Sequence, residues 1–157
     1  HSQTNITYYE GLEGMKDYVS QVLECEGEVL EWTKIENFTS VFSDYLEEVY
    51  FPRKKQLQIP ARFLFVDTPA AHAFIEKNYL RQKDAPPMKA RFVEPTSVDL
   101  PGYMVIWNDK YSINLPKELK AIVIEDKLIA DTQRQMFEFA WAHAKKEVQN
   151  KPYPRIK

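Results

Sequence analysis

Two short, continuously apolar runs constrain the fold of this chain more than any other feature. Residues 63–66 read Phe-Leu-Phe-Val, and residues 121–124 read Ala-Ile-Val-Ile. A strand without polar positions has no side to turn to water, so each run predicts a β-strand that is covered on both faces. The surrounding segments repeat apolar residues every three or four positions, which is the period of an amphipathic helix. The sequence therefore predicts a layered α/β domain, an α/β/α sandwich with a mixed sheet.

The other predicted elements follow from the same two periods and from turn residues. Shorter strands are predicted at residues 6–9, 28–33 and 89–93, and a hairpin at 103–107 and 110–115 around Asn108-Asp109. Helices are predicted at 12–23, at 39–50, after the N-cap and first-turn proline of Asp67-Thr68-Pro69, and from Glu125-Asp126 to Val148. Pro52 is expected to stop the second helix, because the residue before a proline disfavours helical backbone angles.

The length of 157 residues fits a single domain. We expect this domain to cover residues 6–149, with residues 1–5 a remnant of cloning and residues 150–157 an irregular tail, since the tail contains Pro152 and Pro154. No stretch approaches the roughly 18 consecutive apolar residues that span a bilayer, so no membrane partner is expected. Cys25 is the only cysteine, which excludes a disulfide within one chain and fits a cytoplasmic location.

The charges are balanced in total but not along the chain. The 21 basic and 23 acidic residues are distributed so that residues 1–50 hold 11 acids and 2 bases. A strongly basic nucleic-acid module does not have this distribution. The acidic residues Glu24, Glu26, Glu28 and Glu31 are expected to form a solvated face, and a charge-complementary partner surface is the alternative. The run Arg53-Lys54-Lys55 allows a phosphate contact but is too short to indicate nucleic-acid binding.

No catalytic motif is evident. The segment His143-Ala144-Lys145 matches the first two positions of the histidine–x–lysine motif of phospholipase D-type phosphodiesterases. The aspartate of that motif would fall at Asn150, and the segment has the pattern of an exposed helix end. His72 has no second ligand at helical spacing, so no zinc site is indicated. We therefore predict no catalytic residue, no metal ligand and no cofactor.

Aromatic residues are the remaining candidates for a functional surface. Tyr9, Tyr103, Trp107 and Tyr111 are predicted to contact a small-molecule effector or a second subunit, because aromatic side chains suit both. Packing in the core is the alternative for each of them.

Four segments, taken in order, resemble a known family. Residues 8–15, Tyr-Tyr-Glu-Gly-Leu-Glu-Gly-Met, resemble the opening of the effector domain of TrmB-like transcriptional regulators. Residues 105–113 are similar to the hairpin of that domain, residues 122–130 to its strand and helix start, and residues 136–141 to its closing Phe-x-x-x-Trp helix. The likeness extends from residue 6 to about residue 145.

The resemblance implies a phospholipase D-like fold that has lost its catalytic residues and serves effector sensing or dimerisation. It implies a homodimer with an unknown small-molecule effector, and DNA contact only through an N-terminal winged helix that this sequence lacks. Sugar-sensing members carry an additional sugar-binding region, which is also missing here, so maltose-type binding is not assumed. The alternatives are a phospholipase D-like phosphodiesterase that works across a dimer, and a non-catalytic protein-interaction module.

Overall fold

The structure is a computed structural model that describes residues 3–38 and 41–156, except for the side chain of Val41. The start of the predicted helix 39–50 lies outside the described residues. The strands are β1 Asn5–Glu10, β2 Val29–Thr33, β3 Ala61–Val66, β4 Met88–Val93, β5 Tyr103–Trp107, β6 Lys110–Leu115, β7 Lys120–Glu125 and β8 Lys145–Gln149. The helices are α1 Gly11–Val22, α2 Val41–Tyr45, α3 Phe51–Leu57, α4 Pro69–Ile75 and α5 Lys127–His143.

All eight strands form one sheet in the order β1-β7-β6-β5-β2-β3-β4-β8. Strands β2, β3 and β4 are parallel, and the other neighbouring pairs are antiparallel. Helices α1 to α4 pack on one side of the sheet, which we call the four-helix face, and α5 packs alone on the other, the α5 face. This confirms the predicted α/β/α sandwich with a mixed sheet.

The two apolar runs differ in how they are covered. In β3, Phe63 and Phe65 pack on the four-helix face and Leu64 on the α5 face, as predicted. In β7, Ala121 and Val123 are buried, but Ile122 and Ile124 on the α5 face are only half-buried. The α5 face of this strand is therefore only partly covered, although α5 contacts β7 as well as β5, β6 and β2.

Two helix boundaries also differ from the prediction. Pro52 does not end its helix: α2 continues through a wider π turn, Leu46–Tyr50, into α3, and Phe51 N–H donates to the carbonyl of Leu46. The wider turn directly precedes the proline and accommodates its lack of an N–H group. The last helix ends at His143, and Val148 lies in the edge strand β8 instead of the helical stripe.

Residues 150–156 form no helix or strand, yet they pack against the α5 face. The Tyr153 hydroxyl donates to Glu28 Oε1 over 2.7 Å. The same carboxylate pairs with Arg62 at 2.9 Å, and Arg62 also pairs with Glu138 at 2.7 Å. Glu28 is therefore half-buried in an ion pair, and its expected place on a solvated face is wrong.

None of the helices in the described residues has the length and apolarity that a bilayer crossing needs.

Candidate functional site

A cavity of about 150 Å³ lies between the sheet and the helices of the four-helix face. Its walls are mostly apolar, from α1, β2, β3, β5 and the helical segment 42–54. The polar side chains that line it are those of Tyr18, Glu31, Ser43, Glu47, Tyr50, Lys54, Tyr79 and Tyr103. Apolar walls with a few convergent polar groups are typical of small-molecule sites.

Glu31 is the most unusual of these residues because it occupies the middle of the sheet. Its neighbours in the sheet are Phe63 of β3 and Val105 of β5, and alternation along β2 places it on the same face as the buried Val29 and Thr33. Burial raises the pKa of Glu31 to about 7, an effect that the charge of Lys54 only partly opposes. Among the described residues its carboxylate has no hydrogen-bond or ion-pair partner. Glu31 is therefore half-buried in the cavity wall and does not lie on the solvated face that was expected.

Lys54 brings a cation to the same cavity. It is only 5% exposed, although lysine is rarely buried without a partner. Its Nζ donates to the hydroxyl of Tyr79 at 3.5 Å and lies 5.0 Å from the centre of the Phe63 ring. These contacts hold the ammonium on the cavity wall without neutralising it.

Four tyrosines supply neutral hydroxyl groups around this pair of charges. Burial raises the pKa of Tyr18, Tyr50, Tyr79 and Tyr103, so all four remain protonated at neutral pH. They offer a ligand both donors and acceptors.

One wall of the cavity is backed by a buried polar cluster of Tyr18, Ser112 and Asn114. The Tyr18 hydroxyl is 2.7 Å from Ser112 Oγ, and Asn114 Nδ2 donates to Ser112 Oγ at 3.1 Å. Ser112 and Asn114 are fully buried, while Ile113 between them is 45% exposed on the α5 face. The oxygen of the Asn114 amide has no partner among the described atoms. The hydrogen bond to Ser112 fixes the orientation of the Tyr18 side chain.

A surface groove of about 1060 Å³ adjoins the cavity. The groove and the cavity share five side chains, which lie between the two spaces: Glu47, Phe51, Lys54, Phe74 and Tyr79.

The four aromatic candidates from the sequence do not form one site. Tyr103 is 5% exposed and lines the cavity. Tyr9 and Trp107 pack against the Tyr18 ring, with centroids 6.0 and 6.2 Å apart, and do not reach the cavity. Tyr111 packs against the core of the opposite α5 face.

Glu31, Lys54, Tyr18, Tyr50 and Tyr79 were missed as site residues. Glu31 has a weak signal, a charged residue within an otherwise apolar strand. Lys54 has no such signal, because nothing in the sequence distinguishes it from Arg53 and Lys55, the two more exposed members of the same basic run. Tyr18, Tyr50 and Tyr79 stand at helix positions where an apolar residue is expected for packing alone, so the sequence does not mark them as site residues.

The histidine–x–lysine segment lies at the surface. His143 is exposed at the end of α5, with Nδ1 2.9 Å from the carbonyl of Phe139. Lys145 is exposed in β8, and Asn150 binds the backbone of Pro86 and Met88 instead. Within residues 3–38 and 41–156, no three or more His, Cys, Asp or Glu side chains are grouped to hold a metal ion.

No sequence-family model matches the chain, and no curated protein sequence matches it significantly. Solved structures are similar. TrmBL2, an archaeal chromatin protein with a novel mode of DNA binding, matches with a TM-score of 0.58 and 13% identity over 90% of this chain. That match covers 54% of TrmBL2, so this chain spans about half of its length.

Two phospholipase D-related structures match over nearly their full length. Nuc from Salmonella typhimurium, a phospholipase D family member, has a TM-score of 0.56 and 11% identity, covering 91% of this chain and 97% of its own. NucT from Helicobacter pylori has a TM-score of 0.59 and 8% identity, covering 90% and 98%. Identities this low establish the fold alone, and that fold is phospholipase D-like.

Proposed function

We propose that this chain is a non-catalytic, effector-sensing domain of a TrmB-like transcription regulator, and that its effector occupies the cavity around Glu31 and Lys54. The observation that carries the proposal is the unpartnered Glu31 carboxylate, which shares an enclosed space with a buried ammonium. Burial disfavours the charged form of Glu31, so a ligand that bridges this carboxylate and the Lys54 ammonium would restore the charge by pairing it.

The similarity to TrmBL2 supports the regulator class, and the surface position of His143 and Lys145 supports a non-catalytic role. In this proposal DNA is bound by a separate winged helix, and the effector cavity is the regulatory input. A cytoplasmic location remains a prediction from the lone cysteine.

The cavity favours a compact ligand with two kinds of polar group. Its volume is below the roughly 300–1,000 Å³ of sites for drug-sized molecules. Glu31 requires a donor such as an ammonium or hydroxyl group, and Lys54 requires an acceptor. Small zwitterions and small polyols meet both requirements.

The proposal is tested by thermal unfolding with a panel of amino acids, amines and polyols, followed by calorimetric titration of any stabilising compound. A ligand at about 100 times its Kd stabilises the folded state by roughly 2.7 kcal/mol. We expect Glu31→Gln and Lys54→Met each to weaken binding of the hit about tenfold or more, since each removes a charged hydrogen bond.

Glu26→Gln is the matched control, because Glu26 is exposed and lies outside the cavity. Equal loss of affinity in all three variants, or no stabilising compound alongside a complex with a protein partner, would reject effector sensing in favour of an interaction module.

The phosphodiesterase alternative is tested separately with bis(p-nitrophenyl) phosphate. We expect no hydrolysis above the buffer rate. Hydrolysis that disappears in His143→Ala would overturn the non-catalytic assignment.

A further inference from the structure

Three polar groups in the cavity lack partners that would satisfy them. The Glu31 carboxylate has no hydrogen-bond or ion-pair partner among the described residues. The Lys54 ammonium has three N–H donors, and in the described part of the chain it makes one hydrogen bond, the long one of 3.5 Å to Tyr79. The Tyr50 hydroxyl makes no hydrogen bond within residues 3–38 and 41–156. Unsatisfied polar groups cost free energy in an enclosed space, so this cavity favours a polar occupant.

The two charged groups belong to different walls of the cavity. Glu31 extends from the sheet beside Phe63, and Lys54 extends from α3. They form no ion pair, so more than 4.0 Å separates the Lys54 Nζ from the Glu31 oxygens. The volume of about 150 Å³ corresponds to about five water molecules at roughly 30 Å³ each. A ligand that satisfies both groups is therefore short and has a polar group at each end.

Charge on those two ends favours binding more than neutral hydroxyl groups do. A carboxylate that accepts from an ammonium forms a hydrogen bond roughly twice as strong as a neutral one. A polyol could reach Lys54 and Glu31, but it would leave the Lys54 charge without a counter-charge among mostly apolar walls. An ammonium near Glu31 favours the charged form of its carboxyl group. The two protein charges thus select a ligand that carries the opposite charge at each end.

We propose that the effector is a small zwitterion, an amino acid without a bulky side chain, whose carboxylate pairs with Lys54 and whose ammonium pairs with Glu31, and that the Glu31 proton passes to solvent as the ligand binds. This assignment rests on the proposed function, since it concerns the ligand of the same cavity. With a pKa of about 7, Glu31 in the empty cavity is about half protonated at pH 7. Because the bound carboxyl group is charged, binding at pH 7 releases about half a proton.

The other titratable groups on the cavity walls do not account for this proton. They are Lys54, Glu47, Tyr18, Tyr50, Tyr79 and Tyr103. Burial raises the pKa of the four tyrosines above the ordinary value of 10.0, so they stay protonated near neutral pH. Glu47 is exposed and already pairs with Lys77 at 3.3 Å.

Calorimetric titration tests the ligand class. Glycine, β-alanine and γ-aminobutyrate are zwitterions of increasing length, and propionate, propylamine and glycerol each lack one or both charges. We expect at least one zwitterion to bind about tenfold or more tightly than each of the other three, since a hydrogen bond to a charged group contributes about that factor. Propionate, propylamine or glycerol binding as tightly as the best zwitterion would overturn the zwitterion assignment and leave effector sensing intact. Binding of none of the six compounds would also overturn it, and the wider panel then decides effector sensing separately.

Two variants assign the ends of the ligand. We expect Glu31→Gln to bring the Kd of the best zwitterion within about threefold of that of propionate, because the ammonium loses its counter-charge. We expect Lys54→Met to bring it within about threefold of that of propylamine. Each ratio is measured within one variant, so a general loss of stability does not change it. The control is Glu48→Gln, an exposed glutamate of the Leu46–Tyr50 turn outside the cavity, and it is expected to keep the native ratios. Native ratios in both cavity variants would overturn the pairing.

The proton is measured by the same titration at pH 7 in phosphate and in Tris, which differ in ionisation enthalpy. We expect the native chain to release about half a proton per ligand and Glu31→Gln to release none. The Kd of the zwitterion should fall about tenfold between pH 6 and pH 8, as the Glu31 proton no longer has to be displaced. A zwitterion that binds without proton release, or equally well at both pH values, would overturn the pairing with Glu31.

Discussion

The burial of a single strand residue in this domain depends on which face of the sheet its side chain lies on. The alternation of β2 predicts that Glu31 shares a side with Val29 and Thr33, but it does not say which side is covered. By composition the side with Leu30 and Trp32 is the more apolar one, so the sequence favours a solvated Glu31. The helices that cover Glu31 come from distant segments, and their packing is what places a carboxylate inside the domain.

The raised pKa of Glu31 predicts a pH-dependent stability. In the folded domain the pKa of Glu31 is about 7, above the ordinary glutamate value of 4.5, so the folded state holds the proton more tightly than the unfolded chain does. The stabilisation is complete below pH 4.5 and is lost as the pH rises through 7. We expect Glu31→Gln to unfold at higher urea concentration than the native chain at pH 8, and at a similar concentration at pH 5. An equal shift at both pH values would contradict this assignment.

Gly102 makes a second prediction at this scale. A Cβ atom at Gly102 would lie 2.3 Å from the carbonyl oxygen of Asn114, a backbone atom that has little freedom to move. We expect Gly102→Ala to destabilise the domain by about 1 to 3 kcal/mol, the usual cost of overpacking. Gly27→Ala is the control, since its nearest neighbour would be 3.7 Å away, and denaturant unfolding compares the two.

Strands and helices with a clear period of apolar residues could be predicted from the sequence. Elements that form only because of what they pack against could not. The strand β3 and the start of α4 follow from local sequence. As predicted, Thr68 is the N-cap of α4 and Pro69 is its first residue. The strand β8 has one apolar residue among its five, so nothing local marks it. It forms because β4 offers an unpaired edge, and its two lysines suit an exposed edge. The candidate cavity was likewise hidden, because its polar side chains come from five separate elements.

The cap of α4 can be tested directly. Thr68 Oγ1 accepts a hydrogen bond from Ala71 N–H at 3.2 Å. We expect Thr68→Ala to lower stability by about 1 kcal/mol, and Thr68→Ser to retain most of it. Chemical denaturation of the three proteins measures the difference, and equal losses in both variants would place the effect elsewhere.

At the scale of the whole molecule, the two ends of the chain close the two edges of the sheet. β1 pairs only with β7, and β8 pairs only with β4. Because four of the six residues of β4 are apolar, loss of β8 would expose a strand edge suited to pairing with other chains.

Truncation tests the protective role of β8. We expect a chain that ends at residue 143 to aggregate, because it lacks β8 and uncovers β4. A chain that ends at residue 151 keeps β8 and the Asn150 contacts and is expected to stay dispersed. Light scattering compares the two, and dispersed behaviour of both would contradict the role given to β8.

The strand order also sets the distance between the two edges of the sheet. Seven steps of about 4.8 Å separate the first and last strands, on the order of 34 Å across the sheet. Fluorescent labels at residues 5 and 149 would therefore sit at a separation suited to energy transfer. Their signal would report whether the edges of the sheet come apart before its centre.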